Sequence, residues 1–535
     1  MKLHDRVTLS TLAVILGAGA ATGCVAPQRP TDVAVYASGT DLESANPLVT
    51  VHSLSRQIQR FVLFVTLARY DEALRPAPYF AKRWDWAPDR RTLTFHLVSD
   101  LRWHDDSLTT ARDVAFTIDA ARDPATGYWR AADLASVDSV WARDDSTAVV
   151  HFTAPQAEIP LVFCELPITP QHLLGGVSRG DLRRAAFNLA PVGNGPFRFV
   201  ERRPGSRWAF RRNDAFPASL GGPPRLAGVV VTVVDEPTTK FAGLASGDLD
   251  IAGIAPTMAG LASRDPSMRV VDYPVLFTTG LFFNVHRPPF DDVRVRRAIS
   301  LSIDRRRIVD AALAGYGTPA SGPVPPESPL ALEGSSEPNV ALADSLLDAA
   351  GWTRTGTGPR RRGTAELSFD LLTVGSGDNA LEQLLQADMA ARGIAMRIRQ
   401  VELGAFLTEA RAQPKRFDAL VAGIPGDVAL AYIASMFETR QAGGALDYAG
   451  FHDPRLDALL VAARSAPSDS TRVRLWNDVQ RVLAADAPVA WIYHSRGVQG
   501  VARRLRNVTM DLRGEMPTVT RWEIHPSQPI LSATP

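Results

Sequence analysis

The chain opens into alternating apolar and polar positions soon after its start. "DVAVYASG" alternates and stops at Gly39, which predicts a short strand. "RTLTFHL" places Leu93, Phe95 and Leu97 on one side, and "STAVVHF" repeats the pattern with Ala148, Val150 and Phe152. "PVGNGPFRFVE" reads as a Gly-Pro turn feeding a strand, and "AGVVVTVV" is a continuous β-branched run of the kind a buried strand carries.

Helical spacing interleaves with these runs. Over 54–67, Leu54, Ile58, Phe61, Val62 and Val65 share one face. "TTKFAGLASGDLDIA" predicts a helix stopped by Gly247 and then a strand. "DDVRVRRAISLSI" puts Val295, Ala298, Ile299 and Ser302 on one face behind an Asp cap, and "DRRRIVDAALAG" runs from a cap at Asp304 to a stop at Gly315. "NALEQLLQADMAARG" stacks Leu381, Leu384, Leu385 and Met389. The strand "IAMRIRQV" follows, and "FDALVAG" adds another. This rhythm predicts at least two mixed α/β lobes.

At 535 residues the chain is long enough for several domains. Its 45% hydrophobic and 21% charged residues are ordinary for a globular protein. A formal net charge of +1 argues against a nucleic-acid partner, and the clusters Arg305-Arg306-Arg307 and Arg360-Arg361-Arg362 read as solvated faces. The N-terminus changes the picture more. Lys2 and Arg6 precede an apolar run over 12–21, too short for a membrane span, and small residues then lead to Cys24. This resembles a bacterial lipoprotein signal in which the cysteine is lipidated, although Ala21 stands where leucine is preferred. Residues 1–23 are then a signal peptide, and Cys24 tethers a body outside the cytoplasmic membrane. Of the chain's 2 cysteines, Cys164 remains, and its apolar surroundings predict a buried, inert thiol.

Catalytic patterns are weak. "GVSRG" fits G-x-S-x-G, but the helix-turn "PITPQHLLG" precedes Ser178 where a nucleophile elbow needs a strand. "WHDD", Trp103 to Asp106, has no second histidine cluster beside it in sequence. The expectation is no enzyme, no metal and no cofactor.

Several segments together resemble the family 5 solute-binding proteins of bacterial ABC importers, the dipeptide- and oligopeptide-binding class. They are "YFAKRWDWAPDRRTLTFHLVSDLRWHDDSLTTARDVAFTI", "PVGNGPFRFVERRPGSRWAFRRNDAF", "LASGDLDI" and "LFFNVHRPPFDDVRVRRAISLSIDRRRIVDAALAGYGTPASGPVPP". The resemblance implies a two-lobe periplasmic binding protein-like α/β fold, class II type, with an inserted domain and a ligand cleft between the lobes. Lobe I is then 24–70, 190–275 and 491–535, the insert 71–189, and lobe II 276–490. The implied role is a periplasmic or cell-surface receptor, expected to be monomeric. It closes on a peptide or similar small solute and delivers it to ABC permease subunits, touching the membrane through its lipid anchor alone. A secreted lipoprotein hydrolase and a ligand-presenting sensor subunit are the alternatives.

For the site, "FDALVAGIPGD" puts Asp427 just past a strand end, with Gly423 and Gly426 allowing close backbone approach. In peptide-binding relatives an aspartate in this segment pairs with the peptide α-ammonium. The plain alternative is a cap for the following helix. Relatives of that kind carry a tryptophan where Ile424 stands and an Asp-Pro that "VALAY" lacks, which puts peptide specificity in question. Ser38, Gly39 and Thr40 form a second cleft candidate, or a simple turn. Trp491, Tyr493 and His494 read as packing near a crossover.

Overall fold

The computed structural model describes residues 32–525 apart from 51, 157, 376–378 and 467. Cys24 and the expected signal segment, 1–23, lie outside the described residues.

The alternating runs assemble into one eleven-stranded mixed sheet. Its path runs Ala395–Val401, Ser368–Val374, Ala419–Pro425, Met268–Phe283, Val489–Ala502, Ile251–Gly253, Val33–Ser38, Gly228–Val233, Arg207–Arg212, Phe197–Arg203. Gly317–Pro319 pairs off this path with Val489–Ala502. Val33–Ser38 is parallel to both Gly228–Val233 and Ile251–Gly253, so its carboxyl end opens at the same edge as theirs.

Two long strands run through the middle and belong to both halves of the sheet. Met268–Phe283 pairs with Val489–Ala502 from Met268 opposite Ala502 to Pro274 opposite Arg496. The register then shifts, and pairing resumes from Thr278 opposite His494 to Phe282 opposite Val489, with a smaller shift between Thr279 and Gly280. Each side of that shift has its own core. One half packs Trp208, Phe210, Val229 and Val231 on one face of the sheet and Ala37, Leu244, Ala252 and Met268 on the other. The second half buries Leu281 and Phe283 on one face and Phe282 on the other, as strand geometry requires of consecutive residues. Phe282 lies edge-on to Tyr448 and Trp491, so Trp491 is a packing residue as expected. A separate four-stranded sheet (Ala81–Trp86, Thr92–Leu97, Thr147–Phe152, Val137–Asp144) shares the first half's core. The helix Ala111–Arg122 packs on it, opened by a capping box from Thr110 and Asp113.

Three expectations change on contact with the structure. The helix over 54–67 is α-helical for Ser53–Ile58 and then widens into a π turn, Gln59–Leu63, leaving Val65 buried beyond its end. The cause is the "VGNGP" turn, whose Asn194 and Gly195 amides donate to the Leu63 carbonyl at 3.0 and 2.8 Å. A Cβ on Gly193 would sit 2.0 Å from that oxygen, so glycine is required there. Second, the helix Arg305–Leu313 stops at Ala314, left-handed at φ 49°, one residue before Gly315. Third, the arginine triplets are not uniformly solvated. Arg305 is buried and donates to the carbonyls of Trp491 and Ser300, and Arg360 is buried on Asp344, Asp348 and the Trp352 carbonyl.

The C-terminal segment returns to the first strand through a buried carboxylate. Glu515 receives the phenol O–H groups of Tyr36, from the first strand, and of Tyr273, from the crossing strand beside the register shift (2.8 Å for Tyr273). The Glu515 and Met516 amides both donate to Gln57 Oε1. Burial pushes the Glu515 carboxyl up to about 7.

Phe282→Ala removes a fully buried ring and costs about 3–5 kcal/mol of unfolding free energy. Phe277→Ala at a 39% exposed position of the same strand costs less. Urea denaturation followed by circular dichroism checks both. Glu515 gives a pH signature. Its folded value of about 7 lies above its ordinary 4.5, so its contribution is fully present below pH 4.5 and is lost as pH rises through 7. Glu515→Gln mimics the protonated acid. Relative to wild type it therefore gains about 3 kcal/mol between those two pH values. A variant whose stability difference is flat with pH would contradict a buried neutral Glu515.

Candidate functional site

The strand Ala419–Pro425 ends against the crossing strand. Gly426 N donates to the Leu276 carbonyl at 2.7 Å, and a Cβ on Gly423 would strike the Phe277 ring at 2.2 Å. The space that glycine leaves at Gly423 is filled by this protein's own Phe277.

Asp427 follows at once and is buried. Its two carboxylate oxygens accept the amides of Ala431 and Tyr432, both at 3.2 Å, so it satisfies the first two amides of the helix Ala431–Phe437, whose N-cap position is Leu430. The Tyr432 hydroxyl donates to the Pro323 carbonyl at 2.9 Å, which fixes that helix against the distant Pro-rich loop. Burial raises the Asp427 carboxyl above its ordinary range. Arg130 opposes the rise, while Glu165 and Asp133 add to it.

Those three perturbers form a charged cluster that sequence reasoning missed. Arg130 is 3% exposed. Its Nε pairs with Asp133, and its Nη1 lies 2.5 Å from Glu165 Oε2. Glu165 also accepts the Tyr70 hydroxyl at 2.7 Å. Burial pushes the Glu165 carboxyl up. Arg130 and Arg60, with the Tyr70 hydrogen bond, overcome that and hold it at about 2. Arg56 joins the cluster with its guanidinium 4.2 Å from the Trp129 ring centroid, and Arg60 is tied to the Arg513 carbonyl. The available signal was an isolated charge inside an apolar stretch, as in "LVFCELP" and "GYWRAADL".

The second predicted group keeps to its own partners. Ser38 Oγ donates to the Thr40 carbonyl at 2.6 Å, and Thr40 Oγ1 meets His52 Nε2 at 3.1 Å. Ser38 is buried and Thr40 exposed, with Gly39 beside Lys240. This is a self-satisfied turn at the carboxyl end of the first strand. His494 is buried with Nδ1 at 2.8 Å from Thr278 Oγ1, and burial lowers it to about 4.

The chemistry weighed from sequence has structural explanations. Ser178 hydrogen-bonds Asp181 at 2.6 Å and is preceded by the short helix Gln171–Leu174, so no strand presents it as a nucleophile. In "WHDD", Asp106 takes φ 69°, Trp103 is buried, and His104 bonds the Gly195 carbonyl at 3.0 Å. Among the described residues no His, Cys, Asp and Glu group is arranged to hold a metal ion, and no helix is long and apolar enough to cross a membrane. Cys164 is a buried thiol that burial pushes well up, which makes it unreactive.

The chain can now be set beside known proteins. The dipeptide-binding protein of Escherichia coli is 22% identical across 95% of this chain and 98% of its own. The oligopeptide-binding protein AppA of Bacillus subtilis, solved with a nonapeptide, superposes with a TM-score of 0.73 at 24% identity over 92% of this chain and 99% of its own. NikZ of Campylobacter jejuni, solved with Ni(L-His), gives a TM-score of 0.76 at 22% identity over 92% of this chain and 100% of its own. These structures show the fold, a two-lobe α/β architecture, and their two different ligands leave the solute open. The model of the bacterial extracellular solute-binding proteins, family 5, matches residues 75–442. With that match across most of its length, and with a sheet divided about two shared strands, the chain belongs to the family 5 bacterial extracellular solute-binding proteins, which bind and do not catalyse.

Proposed function

We propose that the chain is a lipid-anchored extracytoplasmic receptor of an ABC importer. It encloses a peptide or similar small solute between its lobes and presents the closed form to a membrane permease. The observation that carries this reading is the pair of strands shared by both halves of the sheet, interrupted by a register shift at 274–278. Such a joint lets each half keep its own core while the angle between them changes. A ligand touching both halves then favours closure by its differential affinity for the closed form.

The division of labour follows the expected boundaries. Lobe I takes 24–70, 190–275 and 491–535, the insert 71–189, and lobe II 276–490. Asp427, with Gly426, supplies the lobe II wall of the cleft, while Gly423 seats the Phe277 ring behind it. Ser38, Gly39 and Thr40 supply a rim of lobe I. Lipidation at Cys24 keeps the monomeric receptor beside its permease.

Two measurements check this. Native mass spectrometry of the gently purified protein retains a small solute that leaves unchanged in mass on unfolding. A solute returned in cleaved form would instead favour a hydrolase. Cys24→Ala moves the folded protein from the membrane fraction to the soluble one, and unchanged membrane association would remove the anchor from the account.

A further inference from the structure

The parallel strands Val33–Ser38 and Gly228–Val233 bring their amino ends together, and the described chain enters there. The Ala227 amide donates to the Asp32 carbonyl at 2.9 Å, and Val33 stands opposite Gly228, itself opposite Arg211. The C-terminal segment closes the same end. The Arg225 amide donates to the Thr520 carbonyl, and its side chain pairs with Glu523, which lies opposite Arg506. On the other flank of the first strand, Asp250 accepts the Val35 amide and pairs with Arg504. The Arg503 amide donates to the Ser267 carbonyl, which sets Arg503 diagonal to Arg269 across the antiparallel pair. Arginines therefore form an arc around the point of entry.

The nearby acids are already engaged. Glu523 and Asp250 are held by Arg225 and Arg504, and Asp265 accepts the amide and hydroxyl of Ser267. Arg211, Arg503 and Arg521 are exposed, and with half-buried Arg269 they pair with no acid among the described residues. Burial lowers the basicity of Arg269, and the like charge of Arg503 adds to the effect. Guanidinium groups left in surplus at one end of a lobe suit an extended anionic partner, and their planar forks suit phosphate.

The tether says which anionic partner is within reach. Eight residue steps join the expected lipid anchor at Cys24 to Asp32, a span of at most about 29 Å when fully extended. The charge on residues 25–31 is a further arginine, Arg29. An anchor so short keeps this end of the protein beside lipid headgroups. Anionic headgroups attract arginines that come within about a Debye length, roughly 10 Å at moderate salt.

Resting on the lipid anchor of the reading above, we propose that this arginine arc is a docking surface for anionic phospholipid, on which the anchored receptor lies with the amino ends of its lobe I strands against the membrane. Ser38, Gly39 and Thr40 stand at the opposite, carboxyl end of the first strand. That rim then faces away from the bilayer, and the receptor loads its solute from the outside.

The test uses the chain from residue 25 onward, which carries no acyl group and keeps every described strand and helix. It is mixed with vesicles of phosphatidylcholine alone or of equal parts phosphatidylcholine and phosphatidylglycerol, and the bound fraction is read by co-sedimentation. At low salt the anionic vesicles bind at least about tenfold more protein, and added sodium chloride releases it. Arg503→Gln, Arg506→Gln and Arg521→Gln together lower that binding by at least about tenfold. Arg361→Gln, Arg397→Gln and Arg416→Gln together remove the same charge from exposed positions of lobe II and change it by less than about twofold. Should the first triple variant fail to fold by circular dichroism, Arg211→Gln with Arg503→Gln takes its place. Equal losses in the two sets of variants would mean that net charge binds and this face does not. Equal sedimentation with both vesicles, or with neither, would remove the lipid. Each of these results overturns the proposal and leaves the anchor untouched, because the anchor is decided by the Cys24→Ala fractionation.

Discussion

Everything in this structure hangs on two strands that refuse to belong to one half. Met268–Phe283 and Val489–Ala502 are paired for most of their length, and each supplies residues to cores on both sides of a register shift. A continuous ladder would make the eleven-stranded sheet one stiff body. The slip between Pro274 and Thr278 interrupts the ladder where Leu276 also receives Gly426 and Thr278 meets His494. The backbone can therefore absorb rotation there at the cost of few hydrogen bonds, while the hydrophobic layers on either side stay packed. Arg496 straddles the same point, pairing with Asp272 and Glu327. These exposed pairs add little stability and do not lock the angle.

The second constraint is buried charge. Arg130 and Glu165 are withdrawn from water, and a buried pair of this kind is poor value as a source of stability. Its worth lies in preorganisation. Asp133, through its pair with Arg130, and Tyr70, through its hydrogen bond to Glu165, fix the geometry of the cluster. Asp427 spends both carboxylate oxygens on the first two amides of its own helix. Its carboxyl is raised by burial, against the pull of Arg130.

Much of the fold was legible in the sequence because local patterns and tertiary burial agree. Leu93, Phe95 and Leu97 alternate and are buried; Asp292 and Asp304 look like caps and accept the Arg294 and Arg307 amides. The strand-end position of Asp427 was legible for the same reason. What escaped is what depends on distant partners. The π turn at Gln59–Leu63 exists because a turn over a hundred residues later docks on the Leu63 carbonyl. Arg305 looks solvated within an Arg-Arg-Arg run, yet it turns inward to the Trp491 carbonyl. Arg130 and Glu165 are far apart in the chain and carry no shared motif, so their pairing appears in three dimensions alone.

The central claim is that two halves rotate about the paired strands to enclose a solute. Spin labels at Trp141→Cys, on the four-stranded sheet, and Arg397→Cys, on the far edge of the second half, report that motion as a distance distribution by pulsed electron resonance. Both positions are exposed, at 43% for Trp141 and 68% for the Arg397 side chain, so the labels leave the cores untouched. The account predicts a broad or long distribution in stripped protein that becomes shorter and narrower when the co-purified solute is restored. An identical distribution with and without saturating solute would contradict it.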